Sequence, residues 1–388
     1  MKSFKTSHPI ILINITTIAK GIFLLSASLL SVFLLSGFLT SLKPEYRITS
    51  DSVHRATENL SGASLFRLFA LENRIYESSL TDETEWPSVS DIVVSLTTNI
   101  RFEDPRSFLG RELPGFSIFD GKILVAGEGT DYTNLPIESE PPEGTFENEA
   151  ELQNTDGIPT DIPGESNSVD EKKVYIYFSH TRESFLPYLK GQTDPDRAYH
   201  SQLNVTKIGE TLRAELEDLG VGTISDPTDI NTKLVEKGKP FSQSYNESRT
   251  VVQASMQEHE DLMYFIDIHR DSQRREFTTK TIGDQDYAKL FFVVGKEHAN
   301  YEENLKVATD LHNLLEKQYP GLSRGVLEKS GPGINGKYNQ DLSGNAMLIE
   351  FGGVDNTFEE LNRTAEAFAK VFAEYYWQAE KVSAPSNE

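Results

Sequence analysis

Leu262-Met-Tyr-Phe-Ile-Asp-Ile-His-Arg-Asp271 decides the reading of this chain. Its five leading apolar residues lack the polar alternation of a half-exposed sheet, which is the pattern of a strand buried on both faces. Three further runs share it: Val174-Tyr-Ile-Tyr-Phe178, Leu290-Phe-Phe-Val-Val294 and Ala346-Met-Leu-Ile349. Around them, apolar residues recur at helical intervals over Val205–Leu219, Tyr245–Glu260, Asn304–Gln318 and Thr357–Ala379. Strands alternating with helices predict an α/β domain over 172–388, built on a mainly parallel sheet flanked by helices.

The ends of the strands hold the chemistry. The first run leads into Ser179-His-Thr-Arg-Glu183, the second ends in Asp267-Ile-His-Arg-Asp271, and the last continues as Glu350-Phe-Gly-Gly353. Ligands of open parallel α/β sheets bind outside the carboxyl ends of the strands. His180 and Glu183 stand three apart, a spacing that on a turn lets an imidazole and a carboxylate face one ion. Adding His269 gives two His and one Glu, a set used by catalytic zinc with the fourth position open for water. A hydrolase of this kind also needs a carboxylate that is not a ligand, to move the proton. Glu350 is the candidate, and Gly352-Gly353 behind it would allow close substrate approach. Singly, each residue has an ordinary explanation: Glu183 as support for a helix N-terminus, His269 as a bonded core residue, Glu350 as an arginine partner. Four of them at successive strand ends favour the metal site. Histidines 8, 54, 200, 259, 298 and 312 show no comparable placement, and His200 and His298 read as surface residues.

Upstream of this domain, Gly21–Leu42 carries no charge across 22 residues, long enough as a helix to cross about 30 Å of hydrocarbon. A signal peptide is the competing reading, but its apolar part is usually only about 7–15 residues. Lys2, Lys5 and Lys20 before the span place residues 1–20 inside, with everything after Leu42 outside the cytoplasmic membrane. Residues 43–130 read as a small membrane-proximal region, with an amphipathic helix pattern over Leu60–Tyr76. From Asp131 to Glu171 there are 12 acidic residues, no Lys or Arg, and prolines at 136, 141, 142, 159 and 163. That composition predicts an acidic disordered linker.

The chain's 37 basic and 60 acidic residues give a net charge of -23, and with no basic face to neutralise phosphates it is not expected to bind nucleic acid. Cysteine is absent, which excludes disulfides, cysteine-ligated metals and thiol nucleophiles.

Six ordered motifs carry a resemblance. Ile176-Tyr-Phe-Ser-His-Thr-Arg-Glu-Ser-Phe-Leu-Pro-Tyr188, Ser244-Tyr-Asn-Glu-Ser-Arg249, Phe265-Ile-Asp-Ile-His-Arg-Asp-Ser272, Tyr319-Pro-Gly-Leu-Ser-Arg-Gly-Val326, Tyr338-Asn-Gln-Asp-Leu342 and Leu348-Ile-Glu-Phe-Gly-Gly353 together resemble the stage II sporulation protein P family. Asp104–Phe116 is also similar to that family's membrane-proximal region. The resemblance implies a zinc-dependent N-acetylmuramoyl-L-alanine amidase, anchored in the membrane of the sporulation septum. It would thin septal peptidoglycan during engulfment, cleave some peptide cross-links, and act alongside sporulation proteins D and M. The family's zinc ligands fall on His180, Glu183 and His269 and its catalytic glutamate on Glu350. Arg249, Arg270 and Asn339, inside these motifs, are the substrate-contact candidates. One departure is that many members carry Tyr-His-Thr-His where this chain has Tyr177-Phe-Ser-His180; the ligand histidine is kept.

Two other functions stay open: a zinc carboxypeptidase-type peptidase, which would need a cationic clamp from Arg249, Arg270, Arg275 or Arg324, and a non-catalytic septal scaffold. The topology is directly testable. A reporter fused after Glu171 is expected to be active only outside the cytoplasm, with the membrane-bound protein keeping its first residues. A processed soluble form starting near residue 40 would favour a signal peptide instead.

Overall fold

The computed structural model describes residues 121–138, 140–153, 169–331 and 335–383, together with Ser26. The expected anchor Gly21–Leu42, the helix pattern at Leu60–Tyr76 and the Asp104–Phe116 stretch lie outside them. Among the described residues no helix is long and apolar enough to cross a membrane.

Among the described residues, seven strands form one mixed sheet. In chain order the strands are β1 (Gly121–Ala126), β2 (Val174–Tyr177), β3 (Thr223–Ser225), β4 (Tyr264–Asp271), β5 (Thr279–Ile282), β6 (Gln285–Ala288), β7 (Leu290–Gly295), β8 (Ser323–Lys329) and β9 (Ala346–Gly353). The sheet order is β1-β8-β7-β9-β4-β2-β3, with β5 and β6 as a separate hairpin. Pairing is parallel for β3/β2, β2/β4, β4/β9 and β7/β8, and antiparallel for β7/β9 and β1/β8. The α/β architecture with a sheet and flanking helices is thus as expected. The four apolar runs sit in β2, β4, β7 and β9, and the four helical patterns fall on α1 (Thr206–Asp218), α3 (Ser244–Glu258), α4 (Tyr301–Gln318) and α5 (Phe358–Ser383). A short α2 (Ile230–Glu236) precedes α3, with Asp229 capping it by accepting from the Thr232 amide.

The two faces of the sheet have different covers. Strand residues alternate between faces, so Val174, Ile176, Ile266, Ile268, Phe292 and Ile349 pack into the large core under α1, α4 and α5. Tyr175, Tyr177 and Phe265 turn the other way, against Val252 of α3. On that second face Leu348 and Val293 meet Tyr245 of α3 and Tyr338, and Phe291 and Leu327 meet Leu135.

Two sequence-based boundaries are corrected here. β1 belongs to the seven-stranded sheet, so the domain does not start at 172 and the membrane-proximal region does not run to 130. Nor is the described part of 131–153 a disordered linker. Leu135 is fully buried, the Ile137 amide donates to Asp271 Oδ1 at 2.9 Å, and Gln273 Nε2 donates to the Leu135 carbonyl at 3.0 Å. The buried Arg324 guanidinium bridges Asp271 and the Asn134 carbonyl. Further along, Glu149 meets Arg182 at 3.3 Å, and Leu152 pairs with Leu189 as an isolated bridge. Like charges repel within the segment, but its opposite charges and its apolar pocket lie on the domain, where composition does not reach. Residues 154–168 are outside the described residues.

A piece starting at 172 therefore lacks an edge strand and a packed segment. Burying Leu135 contributes about 2 kcal/mol and each lost hydrogen bond about 1 kcal/mol, so with the three hydrogen bonds named above 172–388 is expected to unfold in urea with at least about 5 kcal/mol less stability than 121–388. Equal stabilities would show that 121–153 adds nothing to the fold.

Candidate metal centre

Period-two alternation on β4 sends Asp267 and His269 to the face shared with Phe265. β4 runs parallel to β9 with His269 opposite Glu350, which makes the two side chains neighbours on that face. Beyond β2 the chain turns, and the Glu183 amide donates to the His180 carbonyl at 3.0 Å. This turn carries His180 and Glu183 to the same point. His180 Nδ1 lies 3.4 Å from Glu183 Oε1, and His269 Nδ1 lies 3.5 Å from Glu183 Oε2. The two imidazole rings stand 4.8 Å apart at 79°. One donor atom from each of His180, Glu183 and His269 falls within 4.8 Å of the others, and all three residues are buried.

Neighbouring groups orient the three. The Arg270 amide donates to Glu183 Oε2 at 3.0 Å. Asp267 Oδ1 faces His269 Nε2 at 3.2 Å, close but not aligned as a hydrogen bond. The same carboxylate accepts from the Ser179 amide at 2.8 Å and from Ser179 Oγ at 2.6 Å. An imidazole with one nitrogen at the centre and the other at a carboxylate has the orientation typical of a metal-bound histidine. Phe241 stacks on His180 with centroids 4.6 Å apart, and the Tyr245 ring lies parallel to His269 at 5.9 Å.

Charge follows this geometry. Burial alone would raise the Glu183 carboxyl, but the neighbouring His269 and His180 rings outweigh it and hold it well below the carboxylate range. Burial would likewise depress His269, and the carboxylates of Asp267 and Glu183 overcome that and raise it. Glu350 goes the other way: burial pushes it up to about 8, against the lowering charge of His269. His180 Nδ1 and Glu350 Oε2 are buried without a hydrogen-bond partner. Two imidazoles and a carboxylate, with His180 Nδ1 facing the carboxylate unsatisfied, suit a divalent transition metal.

Other site candidates are placed differently. Arg270 is 1% exposed, and its guanidinium donates to the carbonyls of Ser184, Ala198 and Pro195 and to Ser272 Oγ. It braces the loop that carries His180 and Glu183. Arg249 forms a two-pronged pair with Asp341 at 2.7 and 2.8 Å. Asn339 donates to the Tyr245 carbonyl and to Ser248 Oγ, fastening α3 to its neighbouring loop. Gly352 and Gly353 face protein, since a Cβ on Gly353 would lie 2.4 Å from the Gln273 carbonyl and one on Gly352 2.6 Å from Asn356 Oδ1. Their role is close packing, so the expectation of substrate approach there is corrected. His200 is buried rather than at the surface, and its Nδ1 accepts from the Gln202 and Leu203 amides.

Three residues at the centre escaped the sequence reading. Asp267 was visible as the polar interruption two positions before His269. Lys329, at the end of β8, is close enough for its charge to lower both Glu138 and Glu350. Glu138 comes from the acidic segment: its Oε1 is 3.6 Å from His180 Nδ1 and accepts from the Tyr245 hydroxyl at 3.0 Å. The short apolar stretch Leu135-Pro-Ile137 just before it was the available signal.

A metallo-carboxypeptidase from Burkholderia cenocepacia aligns with a TM-score of 0.33 and 12% identity, over 56% of this chain and 60% of its own. The stage II sporulation protein P of Bacillus subtilis (strain 168) is 49% identical over 388 residues, which is 98% of this chain and 96% of that protein. The family model described as stage II sporulation protein P matches residues 103–373, and the chain belongs to that family.

Proposed function

We propose that this sporulation-family protein is a peptidoglycan hydrolase, a zinc-dependent N-acetylmuramoyl-L-alanine amidase. The observation that carries the reading is the buried His180, Glu183 and His269 cluster with Glu350 in register beside His269. These three residues would hold the zinc. When bound, zinc lowers the pKa of a water and polarises the amide carbonyl. Glu350 takes a proton from the attacking water and delivers it to the nitrogen of L-alanine as the carbon–nitrogen bond breaks. Water oxygen ends on the muramic acid carboxyl, and the stem peptide leaves as an amine. Burial keeps Glu350 available for proton transfer near neutrality, and a cation beside it would favour its ionised form. Arg270 holds the loop under His180 and Glu183, and Asp267 orients His269. Membrane anchorage through Gly21–Leu42 at the septum and action with sporulation proteins D and M belong to the same proposal, as does endopeptidase action on cross-links.

A carboxypeptidase-type specificity is less well supported. It needs an available guanidinium for a terminal carboxylate, whereas Arg249 is paired with Asp341, Arg270 with backbone carbonyls, Arg275 with Glu360 and Asp286, and Arg324 with Asp271. A non-catalytic scaffold has no need of an unpartnered imidazole nitrogen and an unpartnered carboxylate oxygen in one buried spot.

Purified chain incubated with sacculi is expected to release stem peptides, with new reducing-end-intact glycan strands and free L-alanine amino groups. His180→Ala, His269→Ala and Glu183→Gln should each lose zinc together with cleavage. Glu350→Gln should keep zinc and lose about 10²–10⁴ in rate. Fully active Glu350→Gln would remove the proposed base, and zinc-free wild-type protein that still cleaves would remove the metal.

A further inference from the structure

The acidic segment places a fourth carboxylate at the centre. We propose that Glu138 is a fourth protein ligand for the metal, so that the chain as folded holds the ion in a closed site. This rests on the metal-centre reading above.

The distances support it. In a tetrahedral site with metal–ligand bonds of about 2.0–2.2 Å, neighbouring donor atoms lie about 3.4 Å apart. His180 Nδ1 to Glu183 Oε1 is 3.4 Å, His269 Nδ1 to Glu183 Oε2 is 3.5 Å, and His180 Nδ1 to Glu138 Oε1 is 3.6 Å. Glu138 thus stands at a ligand's spacing from His180 Nδ1, an imidazole nitrogen that is buried and without a hydrogen-bond partner. Its position is also built. The Tyr245 hydroxyl holds Oε1 from one side. One residue earlier, Ile137 is fixed at both backbone groups, its amide to Asp271 and its carbonyl to the Ser272 amide at 3.1 Å. Further along, Phe146 lies 6.1 Å from Phe241, the ring that stacks on His180, and the Arg182 guanidinium sits 5.7 Å from the Phe146 ring. Glu138 is itself exposed at the outer side of the centre, its side chain 28% accessible, with the carboxylate turned in to His180 and the Tyr245 hydroxyl.

An ion held by four protein groups has no position for water or a substrate carbonyl. Cleavage would then require Glu138 to leave the ion, so the activity of the purified chain on sacculi comes from the molecules in which it has left.

The test is zinc affinity of the full chain by chelator competition, with the visible spectrum of the cobalt(II) form as a second readout. Glu138→Ala is expected to bind zinc at least about tenfold more weakly than wild type, since even outer partners of a ligand are worth about 10–100-fold, and its cobalt bands should change in intensity and position. Glu138→Gln, which keeps the side chain's volume, should behave likewise and serves if the alanine variant does not fold. Either folded variant with wild-type affinity, or with an unchanged cobalt spectrum, overturns the proposal while leaving the three-residue centre standing, provided His180→Ala has lost its zinc. Wild-type chain that takes up no zinc overturns the centre and this proposal together.

Discussion

Glu183 is a carboxylate with almost no access to water, and everything around it serves to compensate its charge. A buried charge without partners costs several kcal/mol, so the fold surrounds it with the His180 and His269 rings and the Arg270 amide. Those partners come from two places, the turn after β2 and the end of β4. They coincide only because β2 and β4 pair in parallel, from Val174 opposite Tyr264 to Tyr177 opposite Asp267. Extending the same logic one strand further, the β4/β9 register puts Glu350 beside His269. A one-residue slip in either pairing would turn a ligand or the base to the helical side. The site is therefore a property of sheet register, and the large core under α1, α4 and α5 holds that register in place.

The same compensation explains the acidic segment. Counted alone, its charge suggests a chain that cannot fold. On the domain its carboxylates find Arg182 through Glu149 and Tyr245 through Glu138, while Leu135 fills a gap against Phe291 and Leu327. Segment and centre are one construction, with Asp271 receiving the Ile137 amide on one side and Arg324 on the other.

Much of this was legible from residues alone, for definite reasons. Buried strands announce themselves by unbroken apolar runs, and the residues that end such runs are confined to one rim, so His180, Glu183, His269 and Glu350 could be named together. What was not legible depends on distant partners. Arg249 looked available because Asp341, which engages it, lies 92 residues away. Arg270 looked like a substrate contact because its backbone acceptors have no sequence signature. β1 is too short and too mixed in burial to signal a strand by itself; its place comes from pairing with β8. Glu138 was hidden among 12 acidic residues of one tract, distinguished only by the apolar residues before it.

The most direct measurement is anomalous diffraction at the zinc edge from crystals of the chain. The account expects a single strong peak per chain, about 2.0–2.2 Å from nitrogens of His180 and His269 and from a Glu183 oxygen, with Glu350 beside it but not coordinating. A peak elsewhere, or one bound by Glu350 in place of Glu183, would contradict it.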